Sequence, residues 1–222
     1  MDFLLQVLDF FRHLDTHLAE IVGRYGGWAY GILFAIIFCE TGLVVTPILP
    51  GDSLLFAAGA IAATGAIDVR VLWVLLTVAA ILGDTVNYWI GSAVGLRVFK
   101  EDAKVLKTAY LRRTQAFFAK HGGKTIILAR FIPIVRTYAP FVAGASSMNY
   151  AKFLTYNVVG GVLWITLFLL GGFFFGNIPF VKENFELVVI VIVLLSVAPA
   201  VVELVKSRRA ARRGGDLRPD SV

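Results

Sequence analysis

Hydrophobic and polar positions fall along this chain in long blocks rather than alternating residue by residue. In residues 1–27, Leu4, Val7, Leu8, Phe11, Leu14, Leu18 and Ile21 recur at spacings of three and four, between Asp9, Arg12, Asp15 and Glu20. That period predicts an amphipathic helix lying at an interface or against a bundle. Residues 28–67 are apolar but too long for one crossing, and Pro47, Pro50, Gly51 and Asp52 interrupt them. Residues 71–96 match the roughly 20 residues that one crossing needs. A basic, polar stretch covers 97–124, and apolar character returns over 125–147, here interrupted by Arg130, Pro133, Arg136 and Pro140. Two further apolar blocks, 153–176 and 185–205, precede a basic tail at 206–222.

Composition agrees with the pattern. Apolar residues are 58% of the 222 and charged ones 16%, against about 45–50% and 25% in soluble domains. The chain reads as an all-α polytopic membrane protein with one membrane domain over 28–205. The net charge of +6 is confined to loops and tail, where cytoplasmic Lys and Arg belong, so nucleic acid is excluded as a partner. Cys39 stands alone and forms no internal disulfide.

Both basic segments are expected in the cytoplasm. An even number of crossings must then separate them, although three apolar blocks intervene. The block at 125–147, with its two prolines and two arginines, is therefore expected to be a re-entrant hairpin. Irregular backbone at membrane depth persists only when buried in protein or lining a wet cavity. Residues 28–67 are expected to form a second such hairpin, entering from the opposite face. A short internal repeat supports the pairing, since Phe56-Ala-Ala-Gly59 recurs as Phe141-Val-Ala-Gly144. Inverted repeats with broken helices are typical of secondary transporters.

Glu40, Asp52, Arg130 and Arg136 fall inside these hairpins. A lone charge at the bilayer centre costs about 2.5–3.5 kcal/mol, so all four are expected to meet partners, water or ligand. One reading is a buried salt-bridge cluster that locks the hairpins together. The other is an anion site with proton linkage. Two guanidiniums, with backbone N–H groups freed by the break at Pro133, suit a phosphate. A carboxylate in a low-dielectric site favours its neutral form unless a cation holds it ionised. An anion that takes the arginines would leave Glu40 or Asp52 prone to protonation. A sodium ion would suit the same carboxylate pair. Asp84 and Asn87, one turn apart in 71–96, read equally well as helix-packing groups or as cavity lining. Asn157, Trp164 and Thr166 read as packing and interface residues.

These residues together resemble the DedA family, the bacterial branch of the VTT-domain membrane proteins. The resemblance rests on Glu40, on Pro47-x-x-Pro50-Gly51-Asp52, on Gly83-Asp84-x-x-x-Tyr88-x-x-Gly91, and on Arg130-Phe131-Ile132-Pro133-x-x-Arg136. Asn157 and Gly161-x-x-Trp164 complete it. It implies an inner-membrane protein with opposed re-entrant hairpins that returns undecaprenyl phosphate across the bilayer, with links to proton-motive force and envelope integrity. It also implies that Glu40, Asp52, Arg130 and Arg136 are the functional charges. A proton-coupled carrier of small ions or drugs and a phospholipid scramblase are the alternatives. No enzyme and no cofactor is expected, since no nucleophile–base pair or metal-ligand motif accompanies the arginines.

Overall fold

A computed structural model describes residues 26–43, 51–96, 108–184, 187–188 and 191. The N-terminal amphipathic segment, the Pro47–Pro50 tip, residues 97–107, most of 185–205 and the basic tail lie outside the described residues. Every regular element among the described residues is helical. They are α1 (Trp28–Gly42), α2 (Gly51–Ala62), α3 (Val69–Val94), α4 (Thr108–His121), α5 (Thr125–Ala129), α6 (Pro133–Ala145), α7 (Tyr150–Ile165), α8 (Gly171–Phe175) and α9 (Pro179–Glu183). A five-residue π-helical turn, Thr166–Leu170, joins α7 to α8, so that Tyr150–Phe175 runs as one helix of 26 residues.

That helix and the 26-residue α3 are each about 39 Å long at 1.5 Å per residue, enough to cross a hydrocarbon core of about 30 Å. Their outward faces are as telling as their length. On α3, Val71, Val74, Val78, Leu82, Val86 and Trp89 are exposed, and on the second long helix so are Val159, Leu163 and Leu167. A helix of a soluble protein turns a polar face outward. These turn an apolar one, and a contiguous exposed apolar surface of this extent marks contact with lipid.

Local chemistry sets the ends of α3. The Asp68 carboxylate accepts from the Arg70 N–H at 2.7 Å and the Val71 N–H at 3.3 Å, satisfying two of the donors that a helix start leaves open. The Asp68 N–H is held in turn by the Tyr30 hydroxyl at 2.7 Å, which ties α1 to this corner. Gly95, with φ of 75°, closes the helix.

The core sits where α2 packs against the C-terminal half of the second long helix and α6 packs against α3. Eleven of the twelve α2 residues are buried, all but Ile61, so α2 is enclosed on every side. The repeated Phe-x-x-Gly motif makes the same contact twice. A Cβ on Gly172 would collide with the Phe56 carbonyl, and one on Gly59 with the Leu169 carbonyl. Correspondingly, a Cβ on Gly91 would collide with the Phe141 carbonyl, and one on Gly144 with that of Tyr88. Glycine at each position lets backbones touch, as close helix crossings in membranes require. The first half's motif thus grips the second long helix, and the second half's motif grips α3.

Candidate functional site

The backbone between α5 and α6 carries the arginines. Arg130 caps the C-terminus of the five-residue α5, Ile132 is extended, and Pro133 stands in the first turn of α6. Proline is tolerated there because that N–H would lack a helical partner anyway. The break was expected to free N–H groups for an anion; those immediately before Pro133 are already engaged. The N–H groups of Arg130, Phe131 and Ile132 donate to Ile127, Leu128 and Ala129, and that of Arg136 to Ile132 at 2.9 Å. The turn before Pro133 thus satisfies its own donors, while no side chain caps the first turn of α6 after it. What the break does is separate the two side chains, since Arg130 leaves before it and Arg136 one turn after it.

Arg136 reaches the first half of the molecule. Its guanidinium donates one N–H to Asp52 Oδ1 at 3.0 Å and another to Glu40 Oε1. Asp52 lies in the first turn of α2 and Glu40 near the end of α1. The Gly51 N–H donates to the same Glu40 oxygen at 3.2 Å. A Cβ on Gly51 would overlap that carboxylate, which explains why glycine precedes Asp52. The other Glu40 oxygen, Oε2, is buried without a hydrogen-bond partner.

Arg130 takes a different set. Its Nη2 lies 2.6 Å from Asp84 Oδ2 on α3 and 2.6 Å from Asn157 Oδ1 on α7. Asn157 is oriented by its own donation to the Ile81 carbonyl at 3.0 Å. Gly160 and Gly161 make room for the guanidinium: a Cβ on Gly160 would lie 3.1 Å from Arg130 Cδ and Nε. Arg130 Nε is buried and unpartnered. Arg130 and Arg136 therefore do not form one fork, and Glu40, Asp52, Arg130 and Arg136 do not form one closed quartet. Two ion-pair groups lie side by side, and Asp84 belongs to the second.

Trp164 joins them. Its Nε1 donates to Asp52 Oδ1 at 2.8 Å, and its ring centroid lies 5.8 Å from the Arg130 guanidinium carbon and 5.5 Å from that of Arg136. Both distances are within cation–π range. Asn157 and Trp164, read from sequence as packing residues, are parts of the site. The signal was there: Asn157, Gly160, Gly161 and Trp164 share one helical face, a polar group and two gaps opposite a hydrogen-bonding ring. Asn87 sits beside the site as a clamp, donating to the carbonyls of Thr41 at 3.3 Å and Thr137 at 3.0 Å. That joins α1, α3 and α6 and gives Asn87 the packing role. Pro140, inside α6, has no N–H to donate to the Arg136 carbonyl. Pro47 and Pro50 lie outside the described residues.

Between the two groups is a cavity of about 20 Å³, lined by Glu40, Thr41, Asp84, Arg130, Arg136 and Trp164. That volume holds about one water molecule. Among the described residues the surrounding charges do not cancel, because three carboxylates (Glu40, Asp52, Asp84) face two guanidiniums. One proton or one monovalent cation restores neutrality. No group of three or more His, Cys, Asp or Glu able to hold a metal occurs among the described residues.

Two long helices with apolar outward faces around a buried, charged centre define an all-helical membrane protein. The VTT domain matches residues 49–174. Protein DedA of Escherichia coli K12 is 53% identical over 96% of this chain and 99% of its own length. The uncharacterized membrane protein Rv0364 of Mycobacterium tuberculosis is 42% identical over 90% of the chain and 89% of its own length. The inner membrane protein YghB of Escherichia coli K12 is 33% identical over 86% and 84%. No solved structure matches. The chain belongs to the DedA family of VTT-domain membrane proteins.

Proposed function

We propose that this protein is a proton-coupled carrier that passes the phosphate head group of a polyprenyl phosphate, the undecaprenyl phosphate of cell-wall synthesis, across the inner membrane together with protons. In this reading α1–α2 and α5–α6 are re-entrant hairpins entering from opposite faces, and the basic tail is cytoplasmic. The observation that carries it is the Arg136 guanidinium held by Glu40 and Asp52 from the other half of the molecule. A phosphate is the natural competitor for such a fork, and the prenyl chain can stay in lipid while the head group moves. A phosphate that claims Arg136 leaves two buried carboxylates without a counter-charge, and proton uptake relieves that cost. Anion binding and protonation are then one event.

The small central cavity requires that these pairs part before a head group enters. It also favours a second reading, a carrier of protons or small ions alone, because one water or one ion fits without rearrangement. Reconstituted vesicles distinguish the two. Polyprenyl phosphate placed in one leaflet should become accessible in the other in the presence of the protein, and Arg136→Lys should abolish this in folded protein. Proton or sodium flux with no lipid-phosphate movement would replace the first reading with the second. Movement of zwitterionic lipids at the same rate would make the protein a scramblase.

A further inference from the structure

The closed central site poses a question of supply, since a head group cannot wait in a space the size of one water. A larger cavity lies elsewhere. It measures about 260 Å³ and is formed where α4 crosses the C-terminal end of α6 and the start of α7. Phe118, Val142, Ala143 and Met148 give it an apolar wall, and Gln115 and Lys152 stand at its rim. Arg136 and Ser146 are ten residues apart on α6 and its cap, so this cavity lies about 15 Å along the helix from the ion pairs.

Charge selects the occupant. From residue 103 to 182 the sequence contains no Asp or Glu, while Lys152, exposed, lines the cavity, and Lys120 and Lys124 are exposed in the neighbouring stretch of chain. The C-terminal carbonyls of α6, which would repel an anion, are already engaged: Val142, Ala143 and Gly144 accept from Ser146, Met148 and Ser147. Lys152 is also positioned. A Cβ on Gly123 would lie 3.1 Å from its Cε, so the glycine turn receives the lysine stem. An apolar trough beside an ammonium with no acidic partner among the described residues fits an amphiphile with a chain and an anionic head.

We propose that this cavity is a docking site for an anionic lipid, with its chain along Phe118, Val142 and Met148 and its phosphate on Lys152 and Gln115. It would hold the head group on the basic face before or after passage. Its role in transport rests on the carrier reading above; its capacity to bind does not.

The test uses the full chain in phosphatidylcholine nanodiscs containing a small fraction of a diazirine-tagged long-chain alkyl phosphate. Crosslinks should map to residues of α4, the end of α6 and the start of α7. Lys152→Gln should lower labelling about tenfold, the loss of one charge-assisted hydrogen bond. Ser146→Phe, an exposed position at the cavity mouth, should lower it by obstruction with the charge intact. Equal labelling by tagged phosphatidylcholine, or labelling indifferent to both Lys152→Gln and Ser146→Phe, would overturn the proposal. So would Lys152-dependent binding of inorganic phosphate with no alkyl-phosphate labelling. Labelling as expected without any lipid-phosphate transport would remove the carrier function and leave the docking site. Transport without Lys152-dependent labelling would do the reverse.

Discussion

Trp164 donates its indole N–H to Asp52 at 2.8 Å, across 112 residues of sequence, and this bond couples the second long helix to the start of α2. The same ring lies against both guanidiniums. Trp164 therefore connects two ion-pair groups that share no hydrogen bond with each other among the contacts described above.

Trp164→Phe tests that connection. It keeps most of the ring but removes a hydrogen bond to a charged group, which is worth about 1.5–3 kcal/mol. Lipid-phosphate transport should fall by about tenfold or more, with a smaller loss of thermal stability than Trp164→Ala. Equal activity of Trp164→Phe and wild type would reduce the tryptophan to packing.

Arg136→Lys keeps the charge and loses the two-pronged geometry that reaches Glu40 and Asp52 together. Transport should drop at least tenfold while the protein still elutes as a folded species. Arg136→Ala should do more, because it strands two buried carboxylates, at a cost of about 3–5 kcal/mol. Its melting temperature should fall clearly below that of the lysine variant.

Arg130 and Asp84 distinguish structural from functional charge. Asp84→Asn leaves a buried guanidinium with a neutral partner and should destabilise the protein strongly. The double variant Arg130→Met, Asp84→Leu replaces the pair with apolar volume and should recover much of that stability without recovering transport. Recovered transport would show that this second pair only holds the helices together.

Glu40→Gln removes one of three carboxylates and brings the centre to formal neutrality with no bound proton. If the extra negative charge is what a proton answers, proton uptake per lipid phosphate should decrease in this variant. The pH dependence of transport between acidic and neutral conditions should flatten. An unchanged pH profile would assign the proton to another group.

Gly91→Ala and Gly172→Ala should be comparably damaging. Each added methyl meets a phenylalanine carbonyl of the repeated motif, and overpacking of this kind costs about 1–3 kcal/mol. Melting temperatures measured in one detergent would show whether the two contacts are equivalent.

Much of this was legible from the chain. Block hydropathy gave the long helices because crossing lipid demands about 20 apolar residues in a row whatever the fold. Pro133 announced broken backbone because proline lacks an N–H and disfavours helix in the residue before it. Misplaced charges at 40, 52, 130 and 136 announced a buried site because an unpaired charge in hydrocarbon is too costly to keep. These are local properties, paid by each residue against its solvent. Which acid holds which arginine is not local. Arg130 meets Asp84 rather than Glu40 because α5 ends facing α3 and α7, whereas Arg136 begins the next helix facing α1 and α2. Trp164 joined the site only when the glycine contacts brought α2 and the second long helix together, and Asn157 only when Gly160 and Gly161 let α7 close over Arg130. Pairing in a protein interior depends on directions set by helix crossings between distant segments, and a one-dimensional pattern of polarity contains no such directions.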